Sequence, residues 1–204
     1  MVERQLRKRG IRDRRVLQAM LTIPREEFIP HEYRICSYRD EPAPIGYGQS
    51  ISQPYMTAFM AELLELKGTE TVLDIGSGSG YHAAVLGQLA ARVVSIEIIP
   101  ALARQAEQNL ARTGLGGRIN IVCGDGSQGR PDASPYGGIS VAAAAPEIPE
   151  PLLAQLADPG RLVIPVGDRL DQELLVITKS GSKITERVAT FCRFVPLRGD
   201  RGWQ

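Results

Sequence analysis

After Gly68, short runs of β-branched and aliphatic residues alternate with stretches that have the composition of helices. The strand-like runs are residues 71–75, 92–97, 118–122, 136–142 and 161–166, and the helices between them begin near Tyr81, Pro100 and Pro149. Such alternation is typical of βαβ units, which build a parallel sheet with helices on both faces. Two further runs, 173–179 and 184–195, flank a Ser-Gly turn and predict an antiparallel hairpin at the sheet edge. The sequence therefore predicts an α/β fold with a doubly wound, mostly parallel sheet and antiparallel C-terminal strands.

The segment before this alternation has a different pattern of residues. Residues up to Ile23 carry apolar stripes between arginines and predict an amphipathic helix with a solvated basic face. Prolines, glycines and aromatics without a clear period follow from 24 to 54 and predict an ordered, irregular cap. A helix then begins at Pro54, whose missing N–H costs little in a first turn.

Composition narrows the class of protein. The chain has 204 residues, 43% of them apolar, and a net charge of +1, so no global field attracts nucleic acid or a membrane surface. No apolar run approaches the roughly 18 residues of a membrane-spanning helix, and we expect no signal peptide at the N-terminus. The three cysteines are odd in number and far apart, which predicts neither disulfides nor a metal site. We expect a cytoplasmic protein.

The sharpest local motif is the glycine-rich turn of residues 74–80, Asp-Ile-Gly-Ser-Gly-Ser-Gly, after the first core strand. Gly76, Gly78 and Gly80 follow the spacing GxGxG, whereas a dinucleotide fingerprint needs its third glycine at position 81, which is Tyr81. Asp74 would repel a pyrophosphate but suits a cation. S-adenosylmethionine carries an ammonium and a sulfonium and no phosphate. The turn therefore favours this cofactor over NAD, with Asp74, Gly76, Ser77, Gly78 and Gly80 as candidate cofactor-binding residues.

Two more acidic residues stand at the ends of the next strands. Glu97 closes the strand 92–97 and is placed to accept the ribose hydroxyls. Asp125 follows the third strand and could accept a hydrogen bond from the adenine amino group, while Gly126 leaves room for the ring. Ligands of open α/β sheets bind at the carboxyl edge of the strands, where these residues would meet.

Conventional catalytic groups are scarce. His31 and His82 are the only histidines, we expect both to be structural or exposed, and no hydrolase or metalloprotease motif occurs. A carboxylate acceptor has a pKa of about 4, is already ionised and needs no base. Alignment of donor and acceptor can contribute roughly 7–11 kcal/mol in ideal cases. The sequence therefore favours metal-free methyl transfer to a carboxylate that is oriented by a neutral donor such as a serine hydroxyl.

The residues also resemble a known family, the protein-L-isoaspartate O-methyltransferases, nearly from end to end. The blocks that carry the resemblance are 24–30, 45–56, 72–81, 93–97, 124–126, 143–149, 159–167 and 194–197. The GxGxG and GDG blocks occur in many methyltransferases. The segment Gln49-Ser50-Ile51-Ser52-Gln53-Pro54 is more particular, because it resembles the family's catalytic T-I-S-A-P stretch.

This resemblance implies a role for each matching residue. Ser52 would orient the isoaspartyl carboxylate, and the FVPL block would place Val195 and Leu197 near the substrate peptide. The remaining matches imply cofactor contacts, which are Ser50, Ile51, the glycine loop, Glu97 with Ile98, and Asp125 with Gly126. The implied activity is repair: methylation of the free α-carboxylate of an isoaspartyl residue creates a leaving group, so the chain can reclose to a succinimide and reopen partly as aspartate.

Several alternatives stay open at this point. Ser52 could be only an N-cap of the helix that follows it. The protein could be an NAD-dependent oxidoreductase, a non-catalytic cofactor-binding relative, or a methyltransferase of other carboxylates. Gly137, one of the departures from the family pattern, keeps the non-catalytic relative open. Gln53 and Tyr55 replace Ala and His beside the serine, and Gly137 stands where the family has Asp, which would remove an acidic group near the cofactor pocket.

We expect a single domain over residues 1–204. Its parts would be a helical cap with the serine loop (1–67), a cofactor-binding core (68–170) and a C-terminal β extension (171–204). The expected partners are isoaspartyl proteins and peptides, with no nucleic acid and no membrane, and we expect a monomer.

Overall fold

The computed structural model describes residues 1–203. The helices are α1 (Arg14–Thr22), α2 (Pro54–Leu63), α3 (Tyr81–Gly87), α4 (Pro100–Thr113) and α5 (Glu150–Ala154). The strands are β1 (Ala43–Gly46), β2 (Gln49–Ile51), β3 (Thr71–Ile75), β4 (Arg92–Glu97), β5 (Ile119–Cys123), β6 (Tyr136–Val141), β7 (Leu156–Gly167), β8 (Gln172–Ser180) and β9 (Lys183–Cys192).

Seven strands form the central sheet, in the order β5-β4-β3-β6-β7-β8-β9. The pairings from β5 to β7 are parallel, and those of β8 and β9 are antiparallel. The predicted fold class and the C-terminal hairpin are therefore confirmed. The chain passes from β3 outward to β4 and β5, then returns to β6 on the other side of β3. This reversal opens a crevice at the carboxyl ends of β3 and β6, where ligands of such sheets bind.

Both faces of the sheet are buried at its central strands, as alternating residues of β3 and β4 show. Val72 and Val93 face one core with α1, α2, α3 and α4, whereas Leu73 and Val94 face a second core with α5. Burial on both faces explains why the strands are nearly continuous in apolar residues. The single-domain division at 67/68 and 170/171 stays a prediction.

The N-terminal segment differs from the single helix predicted to Ile23. It forms a π-helical turn (Val2–Leu6) and a 3-10 turn (Arg7–Arg9) before α1. Gly10 ends the second turn with a φ of +97°, a conformation that glycine adopts readily. Asp13 then caps α1 by accepting hydrogen bonds from the amides of Arg15 and Val16. A glycine stop followed by an aspartate cap thus divides one apolar stripe into separate pieces.

The cap from 24 to 54 is irregular, as expected. It contains the 3-10 helices Arg25–Phe28 and His31–Cys36 and the β1–β2 hairpin. Across residues 1–203, none of the helices combines the length and the apolar character needed to span a membrane.

Candidate active site

A cavity lies at the carboxyl edge of the sheet, where β3, β4 and β6 end. The empty space between its walls is about 800 Å³, open solvent included. Its walls contain many of the predicted site residues, which are Ser50, Ile51, Ser52, Gly76, Ser77, Gly78, Glu97, Ile98, Gly126, Val195 and Leu197. Residues from five separate parts of the sequence therefore meet around one space.

The glycine loop forms the floor of this cavity. Gly76, Gly78 and Gly80 have φ values of +89°, +53° and +88°, in the left-handed region that favours glycine. The amides of Gly76 and Ser77 donate to the carbonyl of Ile96 at 2.8 and 3.2 Å, which ties the loop to the end of β4. Gly80 does not line the cavity. A Cβ there would lie 3.2 Å from the Cβ of Ala106, so this glycine permits close packing of α4.

Glu97 lies at the end of β4, and its side chain is nearly buried. One carboxylate oxygen accepts from the amide of Gly78 at 2.8 Å, and the other accepts from the amide of Ile99 at 2.9 Å. These two bonds orient the carboxylate towards the cavity. Each carboxylate oxygen has a further lone-pair site, so Glu97 can still accept two hydroxyl groups.

Asp74 is fully buried and does not line the cavity. Its Oδ2 accepts from the hydroxyl of Ser95 at 2.6 Å, and the Ser95 oxygen lies 2.5 Å from that of Ser77 in the cavity wall. Its Oδ1 lies 3.3 Å from Nδ1 of His82, without the alignment of a hydrogen bond. Asp74 therefore lies behind the cavity wall, where Ser95 links it to Ser77 and where it lies close to His82.

His82 lies in the first turn of α3 and lines the cavity. Its side chain is largely buried, and its Nε2 atom has no hydrogen-bond partner within residues 1–203. A buried polar atom without a partner is unusual in proteins, and one in a cavity wall is a candidate ligand contact.

Ser52 lies between β2 and α2, on the wall opposite the glycine loop. The N-cap position of α2 is occupied by Gln53, and no side chain caps this helix, so the N-cap interpretation of Ser52 is wrong. The Ser52 carbonyl accepts from Nη2 of Arg25 at 2.7 Å. Its half-buried hydroxyl forms no hydrogen bond in the described part of the chain and is free to bind a ligand.

A second cavity adjoins the first at Ser52. It encloses about 770 Å³, again partly open to solvent, and its walls also include Gln53, Phe191 and Arg193. Ser50, Ser52 and Val195 line both cavities. Ser52 therefore lies where two cavities meet, one bounded by the glycine loop and one bounded by the end of β9.

Comparison with known proteins agrees with this geometry. Residues 1–202 match the family model of protein-L-isoaspartate(D-aspartate) O-methyltransferase. The protein-L-isoaspartate O-methyltransferase 2 of Marinobacter nauticus is 55% identical over 100% of this chain and 93% of its own length. The protein-L-isoaspartate O-methyltransferase of Methanoculleus marisnigri is 52% identical over 100% of this chain and 92% of its own. The chain belongs to this family.

Solved structures of the isoaspartate methyltransferase family have the same fold. One protein-L-isoaspartate O-methyltransferase superimposes with a TM-score of 0.85 at 32% identity, covering 99% of this chain and 67% of the other. A putative one from Plasmodium falciparum, solved with S-adenosyl-L-homocysteine, gives a TM-score of 0.82 at 27% identity, covering 94% of each chain.

Asp125, the residue expected at the adenine, is not in the wall of the cavity. Its Oδ1 accepts from the amide and the hydroxyl of Ser127, and its Oδ2 accepts from the amide of Asp200 at 2.8 Å. Asp125 thus joins the turn after β5 to the C-terminal segment of the chain. Its neighbour Gly126 does line the cavity.

Gly137 is placed differently from the expectation. It lies near the amino end of β6, at the edge of the sheet opposite the cavity. A Cβ at Gly137 would lie 2.6 Å from Cγ of Glu70, whose carboxylate accepts from the amides of Lys67, Gly68 and Thr69. The expectation of a missing acidic group near the cofactor pocket is therefore wrong. A side chain at this position would meet Glu70, and the departure concerns packing.

Some cavity residues were not among the predicted ones. Ala142 and Ala143 follow β6 and line the cavity, and the position of that strand end next to β3 would have pointed to them. Tyr81 and Ile45 also line it. Ile45 comes from the cap, so no local pattern relates it to the glycine loop. Within residues 1–203, no group of three or more His, Cys, Asp or Glu side chains is placed to hold a metal ion.

Proposed function

We propose that this protein transfers a methyl group from S-adenosylmethionine to the free α-carboxylate of isoaspartyl residues in proteins and peptides. The observation that carries the proposal is the position of Ser52. Its carbonyl is held, its hydroxyl is free, and it lies where the cavity of the glycine loop meets a second cavity. The membership of the chain in the isoaspartate methyltransferase family supports the same activity.

The residues of the first cavity fit this cofactor. Two carboxylates, Glu97 in the wall and Asp74 behind it, lie beside the glycine loop and favour a cationic nucleoside there over one with phosphates, while Arg198 of the C-terminal segment also lines the cavity. Glu97 has acceptor sites left for two ribose hydroxyls, and Nε2 of His82 is free for a polar group of the methionyl part. Without a side chain at Gly78, a ligand can approach the backbone of the glycine loop. A Cβ at Gly78 would already lie 3.0 Å from the side chain of Ile45. When bound, the cofactor supplies an electrophilic methyl group on its sulfonium.

The chain itself then has two tasks, orientation and exclusion of water. The Ser52 hydroxyl donates a hydrogen bond to the acceptor carboxylate and fixes one oxygen towards the first cavity. A neutral donor suits this role, because a cationic one would attract the nucleophilic electrons more strongly. Ile51, Val195 and Leu197 give the surrounding wall an apolar lining. No proton has to be removed from the acceptor, because its carboxylate is ionised at neutral pH.

The contributions of the single residues are part of the proposal. We assign Ser50, Ile51, Gly76, Ser77, Gly78, Glu97, Ile98 and Gly126 to the cofactor, and Val195 and Leu197 to the side facing the peptide. Asp74 and Gly80 would act from behind the wall, and a contact of Asp125 with adenine stays a prediction. The monomeric state and the cytoplasmic location also stay predictions.

The direct test incubates the protein with methyl-labelled S-adenosylmethionine and matched peptides that contain isoaspartate, aspartate or a C-terminal carboxylate only. We expect base-labile label, released as methanol, from the isoaspartyl peptide alone. Equal labelling of all three peptides would indicate a methyltransferase of other carboxylates. Cofactor binding in calorimetry without any labelling would instead indicate a non-catalytic relative.

A further inference from the structure

Arg25 connects three parts of the molecule around Ser52. It lies in the 3-10 helix Arg25–Phe28 of the cap, and its side chain is 0% exposed. Its Nε donates to the carbonyl of Ser37 at 2.8 Å, and its Nη2 donates to the carbonyl of Ser52 at 2.7 Å. The guanidinium carbon lies 4.8 Å from the centroid of the Tyr81 ring, at the start of α3. One side chain therefore contacts the cap, the loop that contains Ser52 between β2 and α2 (the serine loop), and the helix that follows the glycine loop.

The burial of this arginine is costly. Ionised groups are expensive to bury unless they are paired, and among the described residues no carboxylate lies within ion-pair distance of Arg25. Burial lowers the pKa of Arg25, and its Nη1 atom has no hydrogen-bond partner within residues 1–203. An apolar side chain would fill the same volume without these costs. Packing alone therefore does not explain an arginine at this position.

The N–H donors of the guanidinium, which point in fixed directions, explain the arginine at this position better. Ser52 follows the end of β2 and precedes Pro54, the first residue of α2, so its carbonyl belongs neither to a strand ladder nor to a helix. The guanidinium has donors in a fixed geometry and can hold two carbonyls at once. By holding the Ser52 carbonyl, Arg25 restricts the backbone of Ser52 and leaves its hydroxyl free.

We propose that Arg25 is a positioning residue for methyl transfer, which holds Ser52 so that its hydroxyl faces the acceptor carboxylate. Through its contact with the Tyr81 ring, Arg25 also keeps the serine loop at a fixed distance from the glycine loop. Arg25 lies outside the walls of both cavities and touches neither cofactor nor acceptor. The inference rests on the proposed function, because it assigns Arg25 to that reaction.

The test compares Arg25→Lys with Arg15→Lys. Arg15 is a control for the hydrogen-bond pattern, because it also donates to two backbone carbonyls, those of Leu66 and Leu89, away from the cavity, although it is exposed. A lysine has no fork and cannot hold both carbonyls. We expect Arg25→Lys to lower kcat about 30- to 100-fold, as a displacement near 1 Å does in enzymes, with the cofactor Kd in calorimetry and the peptide KM changed less than about threefold. Arg15→Lys should lower the melting temperature and leave kcat within about threefold of the unmodified protein.

A double variant, with Arg25→Lys added to Ser52→Ala, shows whether Arg25 acts through Ser52. In Ser52→Ala, the further change Arg25→Lys should lower kcat less than about threefold, because coupled residues are not additive. Equal effects of Arg25→Lys in both backgrounds would overturn the proposal. So would an equal loss of kcat in Arg25→Lys and Arg15→Lys.

Hydrogen–deuterium exchange gives a result that does not depend on turnover. Arg25→Lys should speed exchange in residues 49–57, and Arg15→Lys should not. Unchanged exchange there overturns the positioning role even if activity falls. If the unmodified protein fails to label an isoaspartyl peptide, the proposed function fails, and the exchange experiment still decides whether Arg25 holds the serine loop.

Discussion

In the proposed site, the side that would hold the methyl donor (the donor side) is built from the ends of neighbouring strands, whereas the side that would hold the acceptor (the acceptor side) is a loop that one buried side chain holds. On the donor side, Glu97 is bonded to the amides of Gly78 and Ile99, both within two residues of a strand end or in the glycine loop. On the acceptor side, the Ser52 carbonyl is bonded to Arg25, 27 residues earlier in the chain. The first arrangement follows from the register of a parallel sheet. The second depends on how the cap folds over that sheet.

This difference separates two kinds of failure. Changes on the donor side should weaken cofactor binding, and changes on the acceptor side should slow turnover while the cofactor still binds. Changes at the opposite edge of the sheet should affect neither.

The largest effect is expected for Ser52→Ala. Loss of the hydroxyl removes a donor aimed at the acceptor, and kcat should fall about 100-fold or more. The cofactor Kd in calorimetry should change less than about threefold. A loss of both kcat and cofactor affinity would show that Ser52 acts on the cofactor. The two sides of the site would then not fail separately. Ser134→Ala, at an exposed serine far along the chain, is the control.

Glu97→Gln should have the next largest effect, and it should act on the cofactor. A carboxylate that bonds two amides becomes an amide with one acceptor oxygen, so one backbone N–H loses its partner and the ribose loses acceptor sites. Hydrogen bonds to charged groups contribute roughly 1.5–3 kcal/mol, which corresponds to about 10- to 100-fold in the cofactor Kd. The exposed Glu107 gives the control Glu107→Gln. An unchanged Kd in Glu97→Gln would show that Glu97 only ties the glycine loop.

His82→Leu should have a smaller effect on the same equilibrium. Replacement of its unpartnered Nε2 atom by an apolar group should raise the cofactor Kd about 3- to 10-fold, the value of one net hydrogen bond. Calorimetry of His82→Leu beside His31→Leu measures this difference. Equal affinities in the two variants would mean that Nε2 contacts no part of the cofactor.

Gly137→Asp should leave the site unchanged and should destabilise the fold. The new Cβ would overlap with Glu70, and overpacking typically costs about 1–3 kcal/mol, or several degrees in the melting temperature. Gly117→Asp is the control, because a Cβ there meets no atom within 4 Å. If Gly137→Asp instead tightened cofactor binding, the two edges of the sheet would be coupled in a way that the structure does not account for.

The positions of the residues on the donor side could be predicted, because the signals that indicate them lie within short stretches of the sequence. Strand period, a glycine turn and acidic residues at strand ends are visible within short windows, and a parallel sheet brings those ends together. This reasoning placed Gly76, Gly78 and Glu97 at one edge. The contact of Asp125 with adenine stays a prediction, and in the structure its carboxylate accepts hydrogen bonds from Ser127 and Asp200.

The acceptor side could not be predicted from local patterns. Nothing near Arg25 in the sequence shows that its donors reach Ser37 and Ser52, since that contact requires the folded cap. The N-terminal helix was misjudged for a related reason, because the apolar stripe continues through Gly10 although a left-handed glycine and the Asp13 cap divide it. Gly137 was misplaced because the expectation followed the family pattern and not the position of Gly137 at the start of the predicted strand 136–142, whose opposite end faces the cavity.

The most direct measurement is a crystal structure with S-adenosyl-L-homocysteine and an isoaspartyl peptide. The account predicts that the Ser52 hydroxyl lies about 2.5–3.0 Å from a carboxylate oxygen of the peptide, the distance of a hydrogen bond. That same oxygen should point at the cofactor sulfur. A peptide carboxylate bound elsewhere, or a Ser52 hydroxyl turned away from it, would contradict the account.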